Sequence, residues 1–308
     1  MRYADTSRGR PFAKDPAVVR FRGRYLLYYS LPPYPARQPS QAWQAGWAMG
    51  IAESADLDAW RKIGEITPTT ELEARGLCAP GAIVLDGAVH LFYQTYGNGA
   101  KDAICHAVSD DGITFRRDPT NPIFAPTGVW TCGRAIDADV IAHQDRLLLY
   151  FATRDPTMTV QLLGVAGAPL ASTFERGTWT QLCAGPILAP ELPWEQQCIE
   201  APALCAHDGM LFMAYGGAYN NQPQQIGCAS SSDGLSWQRI SDHPLLPNGR
   251  AGEWNSSESG HPFLFTDAGG ETHLFFQGNC DHGQSWYLSR RRIAWQHGLP
   301  CLLEEPLR

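Results

Sequence analysis

The sequence predicts an all-β chain folded as a five-bladed β-propeller with four antiparallel strands per blade. Three observations lead there. Five times a turn signal is followed by a short apolar run that ends on aromatic or near-aromatic residues, at 23–29, 87–93, 145–151, 209–215 and 270–276. The closing aromatics, Tyr29, Tyr93, Phe151, Tyr215 and Phe276, recur at intervals of 64, 58, 64 and 61 residues, the signature of radial or stacked units. Composition agrees: 30 Gly, 23 Pro, 11% aromatic and only 18% charged residues describe a turn-rich β protein.

Each unit reads as four short strands in order. The first covers 16–21, 81–85, 139–143, 202–205 and 262–265, and a tight turn leads into the aromatic-ended second strand. The third covers 46–52, 102–108, 161–165, 225–229 and 285–289, and the fourth 60–63, 115–117, 179–182, 237–240 and, least clearly, 293–296. Two turns between third and fourth strands, at 109–115 and 231–237, carry Asp-Gly steps in which Gly takes positive φ. An aromatic follows each turn and is placed to pack back under the loop. The closing aromatics are expected in the core, between neighbouring blades. The apolar runs are too short and too often broken by Gly and Pro for a helical solenoid. Five units without a break in composition make residues 1–308 one catalytic-size propeller domain.

Net charge is −7 and no basic run occurs, so nucleic acid and anionic membranes are excluded as partners on electrostatic grounds. No apolar run approaches membrane-spanning length, and the first residues lack the apolar core of a signal peptide. A cytoplasmic location is the expectation. The nine cysteines show no zinc spacing, and Cys105, Cys205 and Cys228 fall in apolar strand patterns, so they read as reduced core residues. Nothing in the sequence bears on oligomeric state.

The repeat also aligns chemistry. Counting back 14 or 15 residues from each closing aromatic reaches Asp15, Ala79, Asp137, Glu200 and His261. First strands line the channel of a propeller, so equivalent positions face one another around its axis. Taken singly, each acid reads as a turn residue or strand cap. Together, among apolar and proline neighbours, three carboxylates at one register raise at least one another's pKa. That separates an acid from a base, as glycosidic bond cleavage requires. Asp139 reads as a strand residue facing away from Asp137.

The set Lys-Asp15-Pro in blade one, Ile-Asp137 in blade three and Glu200-Ala-Pro in blade four resembles glycoside hydrolase family 43 and its relatives, over nearly the whole chain from Phe12 to Trp295. The resemblance implies an inverting mechanism: Asp15 as the general base that activates water, Glu200 as the general acid, and Asp137 as the carboxylate that tunes and orients the acid. It implies roughly 6.5–9.5 Å between the carboxyl groups of Asp15 and Glu200, room for a water. Relatives often place a histidine beside an axial calcium, which makes His261 the candidate metal residue and calcium the candidate ion.

Aromatic faces and planar polar groups suit sugar rings. Trp43 and Trp47 in the long blade-one insertion, Trp130 and Arg134 before Asp137, Trp194 before Glu200, Trp254 and Glu258 before His261, and Arg154 and Gln225 are the candidate substrate contacts. The polar stretch 220–225 either lines the pocket or is an ordinary hairpin loop. The implied partner is an oligosaccharide or glycoside. The implied activity is exo-acting hydrolysis of α-L-arabinofuranosidase, β-xylosidase or β-galactofuranosidase type. Alternatives are an enzyme like the neoagarooligosaccharide hydrolases, a glycoside phosphorylase, or a non-catalytic carbohydrate-binding propeller.

Overall fold

The computed structural model describes residues 1–34 and 46–303. Four sheets each take four antiparallel strands in chain order. Blade one is Lys14–Phe21, Arg24–Leu31, Ala48–Ser54 and Arg61–Ile66. Blade two is Leu77–Leu85, Ala88–Thr95, Ile104–Ser109 and Arg116–Arg117. Blade three is Ile136–His143, Arg146–Arg154, Gln161–Pro169 and Thr180–Gln181. Blade four is Ile199–His207, Met210–Gly217, Gln225–Ser231 and Gln238–Arg239. The propeller reading of the sequence is correct.

Blade five departs from the predicted pattern. Its strands are Glu258–Thr266, Thr272–Asn279 and Tyr287–Gln296, so residues 293–296 end the third strand and do not form a fourth. The outer edge comes from two segments, Arg2–Tyr3 and Leu299–Leu302, both antiparallel to Tyr287–Gln296. The first of these closes the ring by joining the start of the chain to its last blade.

The aromatic pairs divide two jobs. The closing residues Tyr29, Phe151 and Tyr215 lie directly opposite Gly50, Gly164 and Gly227 on the third strand, where an added Cβ would sit 2.2–2.5 Å from the ring. The glycines are therefore the space that the rings fill. The tyrosine hydroxyls reach out of this layer: Tyr93 bonds Glu73 at 2.6 Å and Tyr215 bonds Glu195 at 2.7 Å, each acid also holding an arginine of its blade's fourth strand. The residue before, or a nearby ring, faces the next blade. Trp60 packs on Phe275, Phe115 on Tyr28, Trp179 on Phe92, Trp237 on Tyr150 and Trp295 on Phe212, with centroids 4.9–6.4 Å apart. The aromatic after each turn thus crosses to the preceding blade, and Trp237 also stays under its own loop as the sequence suggested, donating to the Gly234 carbonyl at 3.3 Å. Tyr28 and Tyr150 also donate to the carbonyls of Gly112 and Gly234 in the two Asp-Gly turns of the following blades. Cys78, Cys105, Cys198, Cys205 and Cys228 are buried free thiols, as expected.

Every inner strand carries a bulge near its start. Pairing shifts between Lys14 and Ala17, Cys78 and Gly81, Ile136 and Asp139, Glu200 and Ala203, and Gly260 and Phe263. The first bulged residue has positive φ in each blade: Asp15, Ala79, Asp137, Ala201 and His261. These bulges turn the chain out of the sheet toward the axis.

Replacing Gly227 with Ala puts a methyl 2.5 Å from the Tyr215 ring and 2.8 Å from Trp194, both locked in place. The expected loss is about 1–3 kcal/mol of stability, read as a lower urea midpoint with an unchanged slope.

Candidate active site

The bulges correct the alignment of the acids. Asp15, Ala79, Asp137 and His261 are equivalent, but the fourth member is Ala201, and Glu200 sits one residue earlier, in the position of Lys14 and Cys78. Blade five needs 15 residues to its closing aromatic because its hairpin, 267–271, is longer than the two-residue turn 208–209 of blade four.

Four of the five bulge amides are claimed by a neighbour's side chain, the exception being Ala201, where blade three has Ala152 at the corresponding position. Gln277 of blade five accepts from the Asp15 N–H at 3.1 Å, Ser30 of blade one from Ala79 at 2.8 Å, and Gln94 of blade two from Asp137 at 2.6 Å. In blade four the counterpart is Gly216. Gln224 lies over Gly216 and Gly260 and accepts from the His261 N–H at 2.9 Å.

On this ring His261 Nε2 stands 3.4 Å from Asp15 Oδ1 and 3.3 Å from Asp137 Oδ1, all three buried. Burial works against a charged imidazole, but the two carboxylates outweigh it and push the His261 pKa up to about 9. For Asp15 burial likewise opposes ionisation. The His261 cation, the Lys14 ammonium and the Ser30 hydroxyl overcome it and hold the carboxyl below its ordinary value.

Glu200 has a different environment. Its Oε1 accepts from Gln224 Nε2 at 2.6 Å and Asn220 Nδ2 at 3.1 Å, and its Oε2 from Gln161 Nε2. Burial, then the nearby Asp137 charge, raise its pKa despite these donors. Lys14 lies 4.4 Å over the Trp286 ring and donates to Asn220 Oδ1 at 2.7 Å.

Several predicted contacts take other roles. Glu258 is fully buried: it accepts from Gln277 Nε2 at 2.9 Å and from the Asn221 N–H, and burial pushes its carboxyl up to about 7. It anchors the 220–221 turn and has no surface for a sugar. Arg154 Nε donates to Gln161 Oε1 at 3.0 Å, so it orients the amide that holds Glu200. Gln225 pairs with Gly217 and accepts from the Asn248 N–H, while its neighbour Gln224 enters the site. Arg134 faces Asp102 at 3.5 Å. Trp130, Trp194 and Trp254 lie over Gly164, Gly217 and Gly278 beside the closing aromatics, as loop anchors. Trp47 packs between Phe12 and Tyr96, with Tyr96 exposed at the same end of the blades as Asp15. Trp43 lies outside the described residues. The stretch 220–225 lines the site through Asn220 and Gln224. Lys14, Gln161 and Tyr96 were not foreseen.

The residues present fit a calcium ion poorly. His261 offers one imidazole nitrogen, and its Nε2 stands within 3.4 Å of two carboxylate oxygens, whereas calcium takes six to eight oxygens. Asp139 takes no part in the acid cluster. It faces an axial cavity of about 550 Å³ lined by the inner strands, accepts from the Leu204 N–H at 2.8 Å, and burial pushes its pKa up to about 7.

A closed five-bladed propeller with two buried carboxyl groups of opposite tendency at one mouth defines a class, the propeller glycosidases. The sequence matches the family described as Glycosyl hydrolases family 43 over residues 9–297, and the chain belongs to that family of glycoside hydrolases. It is similar to a thermostable family-43 glycoside hydrolase, with TM-score 0.75, 20% identity and 96% and 95% of the two chains covered. An endo-1,4-β-xylanase from Bacteroides thetaiotaomicron VPI-5482 gives TM-score 0.74, 21% identity and coverage of 95% and 94%. An α-L-arabinofuranosidase from Lactobacillus brevis gives 0.71, 17%, and 96% and 95%. These likenesses establish the shared fold.

Because the His261 pKa is raised in the folded protein, its ion pairs stabilise fully below about pH 6.5 and fade as pH rises toward about 9. Urea titrations of the protein and of His261→Gln should show a stability difference that shrinks across that window. A difference independent of pH would show that His261 is neutral.

Proposed function

We propose that the protein is an inverting, exo-acting glycoside hydrolase that releases a terminal sugar from oligosaccharides, of α-L-arabinofuranosidase, β-xylosidase or β-galactofuranosidase type. The contrast between Asp15 and Glu200 carries the reading. Asp15, kept ionised by His261 and Lys14, takes a proton from the attacking water. Glu200, kept protonated by burial and Asp137, gives its proton to the leaving oxygen. Asp137 raises the acid and braces His261 against the base. With two amide donors on Oε1 and one, from Gln161, on Oε2, the lone pair left for the proton lies on Oε2.

Pentose and furanose specificity is supported by the xylanase and arabinofuranosidase among the similar structures. Exo action is supported by the length of the insertion at 32–46 in the sequence. A phosphorylase would need a free cationic pocket. Lys14 instead faces Asp15, Glu258 and Glu200, Arg134 faces Asp102, and Arg154 holds Gln161, which argues against it.

Replacing Asp15 or Glu200 with Ala should lower hydrolysis of the best para-nitrophenyl pentoside or furanoside by about 10²–10⁴-fold. NMR of the first product should show an inverted anomer, and retention would sink the inverting assignment. The pH profile of kcat/KM should be bell-shaped, and Glu200→Gln should remove its basic limb.

A further inference from the structure

Three amide contacts, with a fourth from the Lys14 ammonium, join the two proposed catalytic groups across blades four, five and one. The Asp15 N–H donates to Gln277 Oε1 at 3.1 Å. Gln277 Nε2 donates to Asn220 Oδ1 at 3.2 Å, and Asn220 Nδ2 donates to Glu200 Oε1 at 3.1 Å. Lys14, the residue before Asp15, donates to the same Asn220 Oδ1 at 2.7 Å. The polarity of this relay is forced. A backbone N–H and an ammonium only donate, so Gln277 must turn its oxygen to Asp15 and Asn220 its oxygen to Lys14. Only the Nδ2 of Asn220 is then left for Glu200. The turn that carries Asn220 is itself held, because Glu258 accepts the Asn221 N–H as well as Gln277 Nε2.

We propose that Asn220 is a positioning residue that couples acid to base: one face of its amide fixes the Glu200 carboxyl, and the other fixes the Lys14–Asp15 bulge. The inference rests on the reading of Glu200 as general acid and Asp15 as general base. Its chemical content is directional. Filling Oε1 with the Asn220 and Gln224 amides, while Gln161 takes only one lone pair of Oε2, leaves the other lone pair of Oε2 to carry the proton, so Asn220 helps to select which oxygen donates. Its hydrogen bond also favours the ionised carboxyl, so its loss delays deprotonation of Glu200.

Two variants separate the two faces of the amide. Asn220→Ala removes both. Asn220→Asp keeps an acceptor for Lys14 and Gln277 but turns an oxygen toward Glu200. Each is assayed beside the unmodified protein and Glu200→Gln, on one sugar with a 2,4-dinitrophenyl leaving group, which needs little acid assistance, and with an alkyl leaving group, which needs it fully. Both Asn220 variants should lose roughly tenfold or more in kcat/KM on the alkyl glycoside relative to the dinitrophenyl glycoside. Their basic limb should move to higher pH, furthest in Asn220→Asp. Equal losses on both substrates with an unmoved basic limb, in Asn220→Asp of unchanged melting temperature, would overturn the coupling role while Glu200→Gln still discriminates. If Glu200→Gln itself treats the two leaving groups alike, the assignment of the acid is overturned, and the coupling with it.

Discussion

The structure depends on a repeated exchange at the start of each inner strand. A bulge puts one non-glycine residue at positive φ, a conformation that costs on the order of 1 kcal/mol or more. In four of the five blades the freed amide is then captured by a side chain from the preceding blade, Ser30, Gln94, Gln224 or Gln277. The strain inside one blade is thus compensated by a bond to the next. The same contacts close the ring, since Gln277 joins blade five to blade one where Arg2–Tyr3 does so at the outer edge. The residues that sit on the bulges, Asp15, Asp137 and His261, are therefore the most firmly oriented side chains at the mouth.

Blade packing follows from the aromatic pairs for a related reason. A ring over a cross-strand glycine uses space within its own sheet, which frees the adjacent position to meet the next blade's turn aromatic. Both contacts recur with the chain's own period, which is why the architecture was legible in the sequence. Blade five was misread at its fourth strand because its edge is borrowed from both ends of the chain, a pairing that no local pattern announces.

The acids were found because the repeat measured distance along the chain, and Glu200 was misaligned because hairpin length differs between blades four and five. The tryptophans upstream of the acids looked like sugar platforms. In the fold the same loop positions are where an anchor must cover Gly164, Gly217 and Gly278. Lys14 and Gln161 escaped notice because they reach the site from different strands, whereas Asn220 and Gln224 lay in a stretch whose sequence left open a pocket or an ordinary hairpin loop. At this register Ser30, Gln94 and Gln277 supply an acceptor, while Ala152 and Gly216 have none, and at Gly216 Gln224 enters in its place.

The one-residue offset of Glu200 has a chemical meaning. Residues on the bulge point into a cluster with the His261 cation at its centre, where a carboxyl is held ionised. At the position before the bulge, Gln161, Gln224 and Asn220 surround Glu200 with neutral donors, and among the described residues no cation touches it. Desolvation there meets no full opposite charge at contact, and Asp137 adds repulsion, so the carboxyl keeps its proton longer. Had Glu200 stood on the bulge itself, it would have joined the ion-paired cluster and lost that distinction. A single step along the strand therefore gives two like side chains unlike protonation, and acid–base cleavage needs that difference more than it needs any one residue's strength.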